Sequence, residues 1–190
     1  MTQLLVRGGR MTSVLVVAVV GMLALDGGWL VAHHHTTAAP VVWRPLRGPG
    51  FSVEFPGRPT HQTRPLAIRG STVVAHLYTL DVDGSRSYGL LYADYPTTVD
   101  VSDAHSVLAR AAEGSANSVQ GNLSPTTFRT VLGQPAVDYV IRVKNLEIRG
   151  RSILQDHRLY SLLVGTPNAA GADFGRFTAS LRLTPVSSAP

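Results

Sequence analysis

Alternation of apolar and polar positions predicts the first strands of the chain. Residues 51–55 alternate so that three apolar side chains share one face of an extended segment. Residues 71–80 and 86–95 are rich in β-branched and aromatic residues, and the Asp83-Gly84-Ser85 turn between them predicts a hairpin. Because both of these strands carry apolar residues on both sides, we expect them to lie in a sheet that is covered on both faces.

The apolar period changes to that of a helix between Ser102 and Gly121. Apolar and small residues recur there three and four positions apart. Ser102 suits the N-cap position, and Gly121 suits the C′ position at which helices commonly stop. Since the apolar stripe consists largely of small residues, we expect this helix to pack close to the sheet.

A second group of strands follows the helix. Residues 126–132 predict one strand, and three further strands form a meander. The meander comprises residues 137–143, 147–154 and 158–164, with tips at Asn145 and Asp156-His157. A short helix capped by Asn168 and running through Ala179, then a last strand over 181–183, complete the pattern. The sequence therefore predicts an α+β domain: an antiparallel sheet of about six strands flanked by helices.

An apolar segment near the N-terminus predicts export or membrane anchoring. Arg7 and Arg10 lie in a basic region over residues 1–10, and an apolar run over residues 11–32 follows. Its length is close to the ~20 residues of a membrane-spanning helix. Asp26 disfavours a spanning helix, because a carboxylate in the membrane is costly. The cleavage sites are also poor, because Ala32 has Leu30 two residues before it and Ala39 is followed by Pro40. Cleavage therefore stays an alternative, and we expect an uncleaved anchor.

Such an anchor would hold the rest of the chain outside the cytoplasm, because the basic flank stays inside. Residues 33–42 are polar and small and predict a linker, residues 43–184 predict the folded domain, and residues 185–190 predict a flexible tail. Three adjacent histidines begin the linker and could bind a transition metal weakly. A short linker gives them no fixed geometry, so we expect no metal site.

Composition excludes several classes of function. The chain has 190 residues, no cysteine, and 17 basic against 12 acidic residues, for a formal charge of +5. Without cysteine it forms no disulfide, no thiolate metal site and no lipid-modified cysteine. All of the basic residues except Lys144 are arginine, and they are spread along the chain. A binder of nucleic-acid backbones carries a denser stripe of charge, so we expect no nucleic-acid partner.

No motif in the sequence predicts a catalytic centre. The chain contains no G-x-S-x-G nucleophile elbow, no G-x-x-x-x-G-K-[ST] phosphate loop and no H-E-x-x-H metal motif. Its glutamates, Glu54, Glu113 and Glu147, show no pairing typical of a glycosidase. We therefore expect a protein that is not an enzyme and that holds neither a cofactor nor a metal ion.

A cluster of basic residues in the meander is the candidate binding surface. Arg142 and Lys144 share one side of a strand, and Arg149 and Arg151 share one side of the next. Across a hairpin at Asn145 the two pairs could form one basic surface. Such a surface would dock an acidic partner or anionic lipid headgroups. The alternative is a solvated strand face whose charge nearby carboxylates balance, since charged faces usually serve solubility.

The order of these landmarks resembles a group of bacterial exported proteins of PsbP-like fold. The residues that carry the resemblance are Trp43, Phe51 to Pro59, Tyr88 to Pro96, Leu132-Gly-Gln-Pro135, Arg158-Leu-Tyr160, Val164, and the final Phe174-x-x-Phe177-x-x-Ser180-Leu-x-Leu183. The resemblance covers roughly residues 43–183. It implies an antiparallel sheet between helices, an α-β-α sandwich, and proteins that act mostly by binding other macromolecules. The fold alone does not identify a function.

Three functional hypotheses follow from these observations. The first is a membrane-tethered, non-enzymatic binding module outside the cytoplasm. The second is a small-ligand binder or an enzyme with a pocket between sheet and helix, lined by Tyr88, Tyr92, Tyr139 and His76. The third is an accessory subunit of an envelope complex, which would use Tyr95-Pro96 and the arginine-rich hairpin as contacts.

Overall fold

Two antiparallel sheets and two helices make up the part of the chain that the structure, a computed structural model, describes: residues 41–68, 71–82, 86–167 and 171–184. In chain order the elements are β1 Arg44–Gly48, β2 Phe51–Phe55, β3 Thr60–Ile68, β4 Ser71–Val82, β5 Arg86–Asp94, α1 Ala104–Ser118, β6 Asn122–Leu123, β7 Thr127–Val131, β8 Gln134–Val143, β9 Leu146–Gln155, β10 Arg158–Thr166, α2 Gly171–Ala179 and β11 Arg182–Leu183.

The larger sheet has eight strands in the described residues, so the prediction of about six is wrong. Its order is β3-β4-β5-β10-β9-β8-β6, with β7 also paired to β8. Six of the predicted strands lie in it, namely β4, β5 and β7 to β10, and β3 and β6 are strands that the sequence pattern does not predict. Strand β3 escapes sequence analysis because it lies at the edge of the sheet, where its first four residues, Thr60 to Thr63, are all exposed. An exposed edge strand lacks the apolar alternation that marks a half-buried one.

A smaller sheet and α2 cover one face of the large sheet. Strands β1, β2 and β11 pair in the order β1-β2-β11 and bury Phe51 and Phe55 against it. Phe51 lies within about 6.0 Å, centroid to centroid, of the tyrosine rings of Tyr92 and Tyr160. The prediction that helices alone cover the large sheet is therefore wrong on this face, where a three-stranded sheet lies beside the helix.

Helix α1 covers the opposite face. Its buried side is made of Val107, Leu108 and three alanines, as the small apolar stripe predicts. The N-cap is Asp103, whose Oδ1 accepts a hydrogen bond from the Ser106 N–H at 3.0 Å, so the prediction of Ser102 is wrong. The Ser102 N–H instead donates to Asp100 at 2.9 Å, which forms the turn ahead of the helix.

The C-terminal end of α1 also differs from the expectation. The helix ends at Ser118, and the residue with left-handed backbone is Gln120, with φ of 54°, rather than Gly121. A Cβ on Gly121 would lie only 2.4 Å from the Cγ2 of Ile141. Glycine is therefore required at this position because the chain passes close to β8, not because of its backbone angles.

The second face of β4 is covered only in part. Leu77 is buried on the α1 side, but Val74 on the other side is 54% exposed. The small sheet and α2 cover the middle of the large sheet and leave the edge at β3 and β4 open. The expectation that β4 is covered on both faces along its length is therefore wrong at Val74.

Several predictions concern residues outside the described ranges. These are the segments over residues 1–10, 11–32 and most of 33–42, the Asp83-Gly84-Ser85 turn, the Asn168 cap and the tail over 185–190. Neither helix of the described residues combines the length and the apolar character needed to cross a membrane. The tips predicted at Asn145 and Asp156-His157 are confirmed as the turns that join β8, β9 and β10.

Candidate functional site

Strand register brings most of the predicted basic residues onto one face of the large sheet. In the β8–β9 pair, Arg142 lies opposite Glu147, Arg149 opposite Val140, and Arg151 opposite Asp138. Residues that are directly paired, or two apart on one strand, project from the same side of a sheet. The three arginines therefore share a face, which is the side of the sheet that packs against the small sheet and α2. Lys144 lies apart from them, exposed in the turn with φ of 50°.

A fourth arginine, which sequence analysis missed, belongs to the same face. Arg129 on β7 lies opposite Ala136 on β8, two residues before Asp138. Its strand is predicted correctly, and alternation along 126–132 together with the turn at Gly133 contains the signal that places it. We call the surface formed by Arg129, Arg142, Arg149 and Arg151, with Asp138 and Glu147 among them, the basic face.

Each carboxylate of the basic face is shared by two guanidinium groups. The two oxygens of Asp138 accept hydrogen bonds from Nε and Nη2 of Arg151 at 2.7 and 2.9 Å, and Nε of Arg129 lies 3.1 Å from Oδ2. Glu147 accepts from Nε of Arg149 at 3.0 Å. The Nη2 of Arg142 lies 3.7 Å from the same carboxylate. Four positive and two negative groups leave the basic face with a net charge of +2.

Exposure ranks these arginines by their access to a partner. The side chain of Arg142 is 65% exposed and that of Arg129 is 44% exposed, whereas that of Arg151 is only 16% exposed. Arg151 also contacts the ring of Phe174 on α2, with its guanidinium carbon 5.8 Å from the ring centroid. Arg151 thus fixes Asp138 and anchors the face, while Arg142 and Arg129 present charge to solvent.

The residues expected to line a pocket do not converge on one. Tyr88 and Tyr92 lie on the side of the small sheet, whereas Tyr139 lies on the α1 side. All three are at most 4% exposed and are packed among other core residues. The predicted pocket lined by Tyr88, Tyr92, Tyr139 and His76 is therefore wrong, because the large sheet separates its members.

Tyr139 illustrates how such a residue serves packing. Its hydroxyl lies 3.3 Å from the hydroxyls of both Ser115 and Ser152, and Ser152 in turn lies 2.8 Å from Ser161. Burial raises the pKa of the Tyr139 phenol, and the serine hydroxyls offset only part of that effect. The phenol is therefore neutral and satisfies a buried chain of hydroxyls beneath α1.

His76 belongs to a row of stacked rings near the open edge of the sheet. Its ring is stacked on Tyr92, with centroids 4.5 Å apart, and its Nδ1 lies 3.3 Å from Nε2 of His61 on β3. The guanidinium carbon of Arg158 lies over the Tyr92 ring, 4.9 Å from its centroid. The sequence does not predict this contact of His61, because it does not predict β3.

The described ranges contain no metal-binding cluster, but they do contain a groove beside α2. No group of three or more histidine, aspartate or glutamate side chains in the described part of the chain is placed to hold a metal ion. An open groove of about 420 Å³ lies between the small sheet and α2. Its lining residues are Pro45, Ser52, Val53, Glu54, Arg176, Ala179, Ser180 and Arg182. None of the predicted pocket residues lines it.

Comparison with solved structures identifies the fold. The solution structure of cyanobacterial PsbP (CyanoP) from Synechocystis sp. PCC 6803 matches with a TM-score of 0.53, over 83% of this chain and 100% of the CyanoP chain, at 12% sequence identity. The chain has a PsbP-like fold. No family model matches the chain, and no curated protein matches it. The resemblance to the PsbP-like fold that the order of landmarks predicted is therefore confirmed for the architecture.

Proposed function

We propose that this protein is a non-enzymatic accessory module that stays outside the cytoplasm and docks an acidic surface of a protein partner through the basic face. Residues 11–32 would serve as its membrane anchor, and the partner would be a protein of the cell envelope. The PsbP-like fold supports a binding or accessory role. The basic face supports the choice of an acidic partner.

One observation carries this proposal: four guanidinium groups surround two carboxylates on a single rigid sheet face. Each isolated surface ion pair contributes little stability, with a median of about 0–1 kcal/mol. Their shared carboxylates instead hold the guanidinium groups in position, which lowers the entropy that binding would cost. Since guanidinium forks match carboxylates, the arrangement suits acidic side chains of a partner protein.

The burial of the three tyrosines in the core also favours the proposed role over the small-ligand alternative. Tyr88, Tyr92 and Tyr139 are used on two separate faces to fill the core. A pocket needs convergent polar groups around an open cavity. The aromatic residues that suggested such a pocket are thus accounted for by packing.

Charge reversal on the basic face tests the proposal. Arg142→Glu/Arg149→Glu, expressed as the full chain with an affinity tag, should lose the protein partner that crosslinks to the unmodified chain in its native membrane. A matched control, Arg58→Glu/Arg110→Glu, changes the charge equally at exposed residues outside the face and should retain that partner. Recovery of the same crosslinked partner by both variants would reject the basic face as the docking surface.

A further inference from the structure

A second positively charged surface lies on the outer side of the small sheet. Arg47 on β1 is paired with Ser52 on β2, and Ser52 is paired with Arg182 on β11, so two arginine residues flank a serine across three strands. Directly paired residues place their Cβ atoms about 4.5–5.5 Å apart. We call the surface formed by Arg47, Arg176 and Arg182, with Val41 and Val42, the small-sheet surface.

Among the described residues, the arginines of the small-sheet surface differ from those of the basic face in having no acidic partners. No carboxylate in this part of the chain lies within ion-pair distance of any of the three guanidinium groups. Glu54 is the acidic side chain of the small sheet, and it lies on the same outer side. Ser52, Arg176, Ser180 and Arg182 line the open groove of about 420 Å³, together with Glu54. Three guanidinium groups against one carboxylate leave this surface with a net charge of +2, which suits an anion.

Apolar side chains stand beside this charge. Val41 is 40% exposed and Val42 is 57% exposed, which makes them two of the few large apolar residues that the described chain presents to water. Trp43 follows them. Its ring centroid lies 5.8 Å from that of Tyr88, and the guanidinium carbon of Arg176 lies 4.3 Å from the Trp43 centroid. Exposed valines beside tryptophan and arginine form the combination that favours a membrane–water interface.

The position of this surface along the chain also favours the membrane. Val41 and Val42 lie where the chain passes into the folded domain, nine residues after the end of the segment over residues 11–32. An extended chain spans at most about 3.6 Å per residue, so Val41 lies within about 30 Å of a membrane that holds this segment. The surface is therefore confined close to headgroups without any further contact.

We infer that the small-sheet surface docks on anionic phospholipid headgroups of the membrane that anchors the chain. This inference rests on the anchor in the proposed function. The phosphate oxygens would accept hydrogen bonds from Arg47, Arg182 and the Ser52 hydroxyl, while Val41 and Val42 enter the headgroup region. Lipid is favoured over an acidic protein here because the charge is bordered by exposed valines that a headgroup layer can cover.

A fluorescent probe at Val42 tests the inference. Because the chain has no cysteine, a Val42→Cys variant of the full chain can be labelled there alone with a polarity-sensitive nitrobenzoxadiazole dye. The labelled protein is reconstituted into vesicles of phosphatidylcholine, with and without phosphatidylglycerol. We expect a severalfold rise in emission and a blue shift in the anionic vesicles, both reversed by high salt, which screens the charges. Equal emission in the two kinds of vesicle would overturn the inference.

Matched variants separate this surface from its surroundings. The same dye at Val74→Cys, a valine of similar exposure on β4, should report no difference between the vesicles. Arg47→Glu/Arg182→Glu, in which both replaced side chains are exposed, should abolish the Val42 signal. Arg142→Glu/Arg149→Glu should leave it intact. A Val42 signal that survives the change at Arg47 and Arg182, with unchanged thermal unfolding, would contradict docking through this surface.

A carbonate wash distinguishes failure of the docking from failure of the anchor. Protein that stays in the washed membranes but shows no Val42 signal would refute the docking and leave the anchor in place. Release of the full-length chain by the wash would refute the anchor and, with it, this inference.

Discussion

Tyr139 on β8 lies directly opposite Gly150 on β9, and its ring occupies the space that a side chain at residue 150 would need. A Cβ on Gly150 would lie 2.2 Å from Cε2 of Tyr139 and 2.3 Å from its Cζ. The Tyr139 ring passes over Gly150, and its phenol oxygen reaches the hydroxyl groups of Ser115 and Ser152. This one pair therefore couples the sheet to α1.

Gly150→Ala is expected to destabilise the protein by about 2–3 kcal/mol. The added methyl group forces the Tyr139 ring to shift in a packed core, and its hydroxyl then loses the serine partners. Urea unfolding followed by circular dichroism measures the change. Gly175→Ala is the matched control, because a Cβ on this helical glycine meets nothing within 4 Å. It should be neutral or stabilising by up to about 1 kcal/mol. Similar losses in both variants would contradict the role given to Tyr139.

Arg158→Lys is expected to loosen the small sheet from the large one. Arg158 forms a bidentate pair with Asp94, and its Nη1 donates to the Pro49 carbonyl in the β1–β2 turn at 2.6 Å. Its side chain is 8% exposed, whereas that of Asp94 is 59% exposed, so water screens part of the ion pair. Lysine cannot make these contacts together, and we expect a loss of about 1–3 kcal/mol.

The matching control for that change is Arg176→Lys. Arg176 makes an exposed cation–π contact with Trp43, which a lysine can partly retain, so about 0.5 kcal/mol or less should be lost. Hydrogen exchange of the Gly48 and Gly50 amides, which flank Pro49 in the β1–β2 turn, should accelerate in Arg158→Lys and stay unchanged in Arg176→Lys. Unchanged exchange in both would show that Arg158 does not tie the two sheets together.

Acidification should destabilise the protein through His76. Burial, foremost, and the neighbouring His61 lower the pKa of His76 below its ordinary 6.5, Arg158 adds to this, and Asp94 opposes it. The folded state therefore binds the proton less readily than the unfolded state. The stability that the neutral His76 side chain contributes is complete above about pH 6.5, and it is lost as the pH falls from there through the pKa of the folded state.

His76→Gln should flatten that decline. Urea unfolding midpoints of the two proteins, measured between about pH 7.5 and pH 5, give the comparison. Between about pH 7.5 and pH 5 the urea midpoint of the variant should fall less than that of the unmodified protein. Two parallel pH profiles would show that His76 does not carry the effect.

Part of this architecture follows from the sequence, because half-buried strands and amphipathic helices carry periodic patterns. The meander, the strand over residues 126–132 and the stripe of α1 are examples, and each is present. Strands β1 and β3 have exposed, polar positions and carry no such pattern. Their pairing depends on partners distant in the chain, which local alternation does not encode.

The basic face shows the same division between local and distant information. Alternation places Arg149 and Arg151 on one side of a strand, but only the register across the turn decides which side of the neighbouring strand meets them. The carboxylates that hold the arginines, Asp138 and Glu147, were expected to balance the charge. Each of these carboxylates is shared by two guanidinium groups. This sharing depends on distances between neighbouring strands, which the spacing of residues along one strand does not give.

Site-specific photocrosslinking at Val140 tests the docking role of the basic face most directly. Val140 lies opposite Arg149, between Asp138 and Arg142, and is partly exposed. A photoreactive amino acid there should form one discrete adduct with a protein in the native membrane, and the adduct should disappear in Arg142→Glu/Arg149→Glu. The same group at the exposed Glu113 on α1 should form none. An adduct that forms equally at both positions, or that survives the charge reversal, would contradict the account.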